Sequence, residues 1–375
     1  MLALLLLMGV LAYSGKAAGT LESTFTNAVT TLSRGDLNAA EEGFRSVLKQ
    51  QPNHIGALGN LGVIYSRTGR TRESIATYKA ALRLAPNDPP LLLNLGLAYL
   101  KEENQSEAKS VFAQLAKDRP SDRRVRELLA ATQVHTQESD KALALLKELP
   151  QTPNVIFLTG LAYLKLGDRQ RARQILDVEL PKTITPAQAA FLRGKAYYDA
   201  THFDDAIREY RRAREIDAGI PGLSLELARA LVSARENDAA EAELRSILKQ
   251  RQTDADASYL LGAILVQQGR EQEATPFLET ALSARPDGWG AYYYLGRAKM
   301  QLDDAENAVP LLQRAADLNS DESAVYYQLS RALKAVGRDA EAQRASARVA
   351  QLKRQGVTRD QESVIVRGDV NGDPR

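Results

Sequence analysis

The residues best suited by type to metal binding or base catalysis are three histidines, His54, His135 and His202, and they stand apart in the sequence. Each falls in a predicted turn, with no second histidine three or four residues away. A metal site or an activated nucleophile needs ligands or a base converging on one point. These histidines therefore read as exposed turn residues. Cysteine is absent, which excludes a disulfide framework, thiolate zinc, an iron–sulfur site and a lipoprotein cysteine. No Gly-x-Gly-x-x-Gly or Gly-Lys-Ser/Thr phosphate loop occurs, and Gly56, Gly59 and Gly62 lie inside a predicted helix. The acidic pairs Asp204-Asp205 and Asp303-Asp304 fall at helix starts, where carboxylates favour the positive end of the helix dipole. Near the C-terminus, Arg367-Gly368-Asp369 matches an integrin-type adhesion triplet, a pattern short enough to recur by chance. Asp369, Asn371 and Asp373 alternate like the opening of a calcium loop, but Pro374 stands where that loop needs glycine. These residues predict no enzyme, no metal and no cofactor.

Composition narrows the partners. Over 375 residues, 49 basic and 47 acidic side chains leave a net charge of +2, which provides no general attraction to nucleic acid or to an anionic membrane. Alanine, leucine, arginine and glutamate dominate and aromatics are 6%, a balance that favours helix over strand. Leu2 to Tyr13 is an almost unbroken apolar run, shorter than the ~20 residues a membrane helix needs. It fits the hydrophobic region of a secretory signal, with Ala12 and Ser14, or Ala17 and Gly19, as small residues for cleavage, although no Lys or Arg precedes it. The expectation is export, periplasmic or secreted, with membrane attachment only through an uncleaved N-terminal segment. The alternatives are a signal-anchor, or an apolar helix docked on the first repeat of a cytoplasmic protein.

The elements that must position any site come from a repeat. Small residues recur at Ala28, Gly62, Gly96, Ala130, Gly160, Gly194, Ala228, Gly262, Gly296 and Ser330, in steps of 34 residues with a single step of 30. A second small series, from Ala40 and Ser74 through Ala172 to Ala342, keeps the same steps. Each of the ten units divides into two short amphipathic helices. In the second unit Leu58, Leu61, Gly62 and Tyr65 share one face, Gly69 ends the first helix, and Pro86 stops the second. Neither helix buries its apolar face alone, so stability must come from stacking. The fourth unit lacks four residues and carries Gln133 in place of a tyrosine, predicting a shortened second helix or loop around Pro150 to Pro153. The expected organisation is 1–20 signal or apolar segment, 21–152 N-terminal repeats, 153–356 C-terminal repeats and 357–375 disordered tail. Ser346 stands where other units carry a large residue, and Arg344, Arg348, Lys353 and Arg354 make the last helix a polar cap.

The pattern Leu61-Gly62-x-x-Tyr65…Ala76-x-Tyr78…Ala81…Pro86, and again Leu95-Gly96-x-x-Tyr99…Ala108…Phe112…Pro120, resembles the tetratricopeptide repeat family over roughly residues 21 to 356. That resemblance implies an all-α, right-handed α-solenoid of about ten helix pairs, with the first helix of each pair lining a concave surface. It also implies a protein or extended peptide partner bound in that groove, and envelope assembly or secretion as a setting. Related solenoids hold an extended peptide by asparagine amides, and Asn60 and Asn94 occupy equivalent places in consecutive units.

The residue after each small one runs Val63, Leu97, Leu161, Lys195, Arg229, Ala263, Arg297 and Arg331, from apolar to basic. Four residues earlier stand Phe157, Phe191, Tyr259, Tyr293 and Tyr327, with Tyr294 beside them. The C-terminal half is accordingly expected to bind an acidic or aromatic peptide through Phe191, Lys195, Arg229, Tyr259, Tyr293, Tyr294, Arg297, Tyr327 and Arg331. The competing reading is that the arginines neutralise Glu226, Asp199 and other groove acids while the tyrosines fill space between helices. The functional alternative is the substrate-recruiting part of a larger enzyme, since the array with Asn60 and Asn94 also resembles that of nucleocytoplasmic sugar transferases.

Overall fold

The structure is a computed structural model that describes residues 19–354. The signal-like run, and the tail with its adhesion and calcium-like patterns, lie outside the described residues. Among the described residues the chain forms twenty α-helices and no strand. They come in ten pairs. The first five are α1 (Gly19–Ser33) with α2 (Leu37–Gln50), α3 (Ile55–Arg67) with α4 (Thr71–Leu84), α5 (Pro89–Lys101) with α6 (Gln105–Asp118), α7 (Arg123–His135) with α8 (Ser139–Lys147), and α9 (Pro153–Lys165) with α10 (Arg169–Arg173). The next five are α11 (Pro186–Asp199) with α12 (Phe203–Ile216), α13 (Leu223–Ser233) with α14 (Asn237–Gln250), α15 (Ala255–Gln267) with α16 (Glu271–Ala284), α17 (Trp289–Gln301) with α18 (Ala305–Leu318), and α19 (Ser323–Ala335) with α20 (Asp339–Arg354).

The chain divides into two compact units, Met1–Thr183 and Ile184–Arg375. In the fourth pair α8 has 9 residues where α6 has 14. The division falls one pair later, not after residue 152 where the missing residues predict it. The fifth pair has no regular second helix: α10 gives way to a π-helical turn at Gln174–Glu179 and a 3₁₀ turn at Leu180–Lys182.

One packing rule recurs in both units. The residue sixteen positions after each small residue lies against it. A Cβ on Gly62 would come within 2.4 Å of the Tyr78 ring, one on Gly96 within 2.4 Å of Phe112, and one on Gly194 within 2.5 Å of Tyr210. At these three positions glycine leaves the ring its place between the two helices of the pair. Tyr78 also packs with Leu91 and Leu95 of the following pair, so one side chain joins two repeats. In the tenth pair the rule turns polar: Ser330 and Ser346 hydroxyls stand 2.7 Å apart.

The turn inside every pair holds one left-handed residue, at Gly35, Gly69, Glu103, Gln137, Gly167, Thr201, Arg235, Gly269, Asp303 and Gly337. The sequence signals this turn only where glycine occupies it. At five positions other, exposed residues take the conformation, with helix-end backbone bonds closing the turn, as from the Asn104 amide to the Tyr99 carbonyl and from the His202 amide to the Tyr197 carbonyl. In the N-terminal unit Phe25, Phe44 and Ile64 anchor one cluster and Tyr78, Leu95 and Phe112 another. In the C-terminal unit a continuous core runs from Ala190 to Ala345.

Candidate functional site

The histidines do not converge. His54 caps α3, its Nδ1 accepting from the Ala57 amide at 3.1 Å. His135 ends α7 and His202 precedes α12. Asp204 and Asp205 lie in the first turn of α12, and Asp304 occupies the cap position of α18. No group of three or more acidic or histidine side chains suited to a metal occurs among the described residues.

The first-helix face divides the expected binding residues into three sets. The first set is buried. Asn60 lies wholly inside, its amide donating to the Gly56 carbonyl at 2.8 Å, and Asn94 is buried too. Phe191, Tyr259, Tyr293 and Tyr294 are likewise buried. The Tyr259 and Tyr294 rings are 6.2 Å apart and those of Tyr293 and Tyr294 5.0 Å, both edge to face. Consecutive first helices stand close enough for rings to pack across the joint, so the space a ligand would enter is filled by the tyrosines themselves. Burial also pushes the Tyr293 hydroxyl above its ordinary value. These side chains are packing residues rather than the open aromatic contacts their spacing suggests.

The second set is internally neutralised. Lys195 of α11 and Arg229 of α13 both face Glu226 of α13, at 3.4 Å and 3.8 Å. Tyr198 adds a 3.3 Å contact to Ser233, and burial pushes its hydroxyl up to about 12.

The third set is Arg297, Tyr327 and Arg331. The Arg297 guanidinium lies over Tyr293 and Tyr294 at 5.8 Å and 5.5 Å, and Arg331 lies 6.0 Å over Tyr327. Tyr327 is 46% exposed, the one open aromatic of the expected set. Arg331 also donates to the Gln328 Oε1 at 3.4 Å. Among the described residues no carboxylate pairs with Arg297 or Arg331. Gln328 was not singled out by sequence reasoning. The signal was available, since it stands two residues before Ser330, the place Asn60 and Asn94 take before Gly62 and Gly96.

This arrangement defines a class: an α-solenoid of stacked helix pairs whose chemistry is that of a binding surface. Family models described as tetratricopeptide repeat match residues 67–132 and 197–264, 26–89 and 276–323, 255–287, and 155–178. The chain belongs to the tetratricopeptide repeat family, and its fold is that of a protein-interaction scaffold. No curated protein matches it significantly. Among solved structures, MamA 41-end from Desulfovibrio magneticus RS-1 is 23% identical, covering 46% of this chain and 97% of that one, with a TM-score of 0.42. Yeast Tom70 is 13% identical, covering 94% of this chain and 95% of that one, with a TM-score of 0.49.

Proposed function

We propose that this scaffold binds an extended acidic segment of a partner protein on the first-helix face of its ninth and tenth repeats, through Arg297, Tyr327 and Arg331. The observation that carries the reading is the contrast in counter-ions. Lys195 and Arg229 share Glu226, whereas Arg297 and Arg331 lie over tyrosine rings and form no ion pair among the described residues, the buried Glu322 acting on the Tyr293 hydroxyl beside Arg297. A guanidinium stacked on an aromatic face keeps its N–H edge available for a carboxylate. Tyr327 supplies open amphipathic surface beside it. An exposed ion pair contributes only ~0.2–1 kcal/mol, so charge sets register and salt sensitivity while aromatic area and contact length set affinity.

The test is fluorescence anisotropy with a labelled short peptide of Glu, Tyr and Ser, beside the same peptide with Gln for every Glu. The full chain is expected to bind the acidic peptide, more weakly as salt rises, and to lose it in Arg297→Glu/Arg331→Glu. Equal binding of the Gln peptide, or an unaffected variant of equal helicity, overturns the reading. Export remains part of the proposal and rests on the Leu2 to Tyr13 run. Fractionation of producing cells checks it, and a wholly cytosolic protein removes it.

A further inference from the structure

In the turn inside each pair, the residue after the left-handed one stands at the start of the second helix. At three joints this side chain is tied to the preceding pair. Arg70 bonds Glu41, Glu138 accepts from Lys109, and Arg270 bonds Glu241, each partner lying 29 residues earlier. The third pair departs from this pattern. Its turn residue is Asn104, and 29 residues before it stands Ile75, an apolar side chain packed against the core of the N-terminal unit. Asn104 is exposed and follows Glu103, whose φ is 54°. Its Oδ1 accepts from the Glu107 amide at 3.2 Å and so caps α6, while its Nδ2 forms no hydrogen bond among the described residues. Ser106 is exposed too. Of all the asparagines in the chain, only Asn104 has Ser or Thr two residues on, and the residue between is Gln105. Asn-x-Ser is the acceptor pattern for N-linked sugar, and the context it requires is an exposed turn of an exported protein. Glu102 stands two residues before Asn104. An acidic residue at that place completes the longer acceptor pattern read by periplasmic sugar transferases.

We infer that Asn104 is an N-glycosylation site, modified on Nδ2 by an oligosaccharide carried on a polyprenyl diphosphate. The inference shares with the reading above only the export of the chain. In the transfer, Nδ2 forms a bond to the anomeric carbon of the first sugar. The bond from that carbon to the diphosphate oxygen breaks, the polyprenyl diphosphate departs with the bonding electrons, and the amide gives up one proton. No oxidant or reductant is needed. The step leaves Oδ1 untouched, so α6 keeps its cap. The oxygen of Asn104 thus serves the fold and its nitrogen carries the sugar. A modified side chain at Arg70, Glu138 or Arg270 would forfeit an ion pair between repeats, whereas at the third pair none is lost. Capping by itself accounts for the asparagine but makes no demand on Ser106, which gives the two roles separate tests.

The experiment is mass spectrometry of the full chain isolated from its own cells, read intact and after trypsin. Cleavage after Lys101 and Lys109 releases the peptide 102–109, which holds Asn104 and Ser106. The expected result is a peptide heavier by whole sugar units, with the addition on Asn104. Ser106→Ala and Asn104→Asp should each abolish the addition, and Ser106→Thr should keep it. Asn104→Asp retains a capping oxygen, so its loss of the sugar is separable from a loss of fold, and circular dichroism checks that helicity is equal. An exported chain whose peptide 102–109 is unmodified overturns the inference, as does an addition that persists in Ser106→Ala, and in both cases export and peptide binding still stand. A chain found wholly in the cytosol removes the inference together with export.

Discussion

Gly62→Ala is expected to destabilise the N-terminal unit, although alanine is the better helix former. The added Cβ would lie 2.4 Å from Tyr78 Cε1 and 2.7 Å from both Cδ1 and Cζ. Carbon atoms prefer about 3.5–4.0 Å, so the ring must withdraw by roughly 1 Å. Tyr78 is fully buried and packs into the next pair, and a rigid ring cannot yield by rotating a terminal methyl. Overpacking of this kind costs typically ~1–3 kcal/mol, with three ring atoms in contact placing it towards the upper end. Helix propensity returns about 1 kcal/mol. The expected net loss is ~1–2 kcal/mol, read as a lower urea midpoint by circular dichroism and faster amide exchange across α3 and α4. Elsewhere in the chain alanine does stand with leucine sixteen residues on, at Ala130 with Leu146 and Ala228 with Leu244. Gly62→Ala/Tyr78→Leu should therefore be more stable than the sum of its single variants by about 1 kcal/mol. A Gly62→Ala variant as stable as the parent would refute the close-packing argument.

Thr201 carries a β-branched side chain at φ 63° in the turn between α11 and α12. Relief of left-handed strain of ~1–2 kcal/mol outweighs glycine's added entropy cost of roughly 0.5–1 kcal/mol. Thr201→Gly should raise the thermal midpoint, and an unchanged or lower midpoint counts against it. Hydrogen bonds from Arg70 and Arg270 hold Glu41 and Glu241 below their ordinary carboxylate value of 4.5. A carboxyl depressed in the folded state stabilises above its unfolded value and loses that contribution as pH falls through the folded one. Urea midpoints should thus be flat from neutrality down towards pH 4.5 and fall below it; a midpoint that rises on acidification refutes the assignment. The Tyr210 hydroxyl is buried with no hydrogen-bond partner among the described residues, and Phe44 and Phe112 occupy the same place in other repeats. Tyr210→Phe should be neutral or stabilising by up to about 1 kcal/mol, and a clear loss of stability would show the hydroxyl to be bonded.

The sequence alone determined the register. Ten small residues at fixed steps locate twenty helices, because a helix face repeats at three and four residues and a close helix crossing admits only a small side chain. The separation of the three histidines was equally plain, since residues at unrelated repeat positions cannot converge. Tertiary structure decided which groove residues stay open. Asn60, Tyr259, Tyr293 and Tyr294 share a helix face with Tyr327, yet only Tyr327 is exposed, because the others fill the joints between successive first helices. It also decided the fate of the cations. Lys195 and Arg297 hold equivalent places, and the side chain 31 residues on differs: stacking brings Glu226 to Lys195, whereas Gln328 bonds Arg331. The left-handed turns at Thr201 and Arg235 likewise appear only in the structure, with no local glycine to signal them. A linear pattern fixes which residues are equivalent; which of them meet a counter-ion, a ring or open space depends on the neighbouring repeat that packs against them.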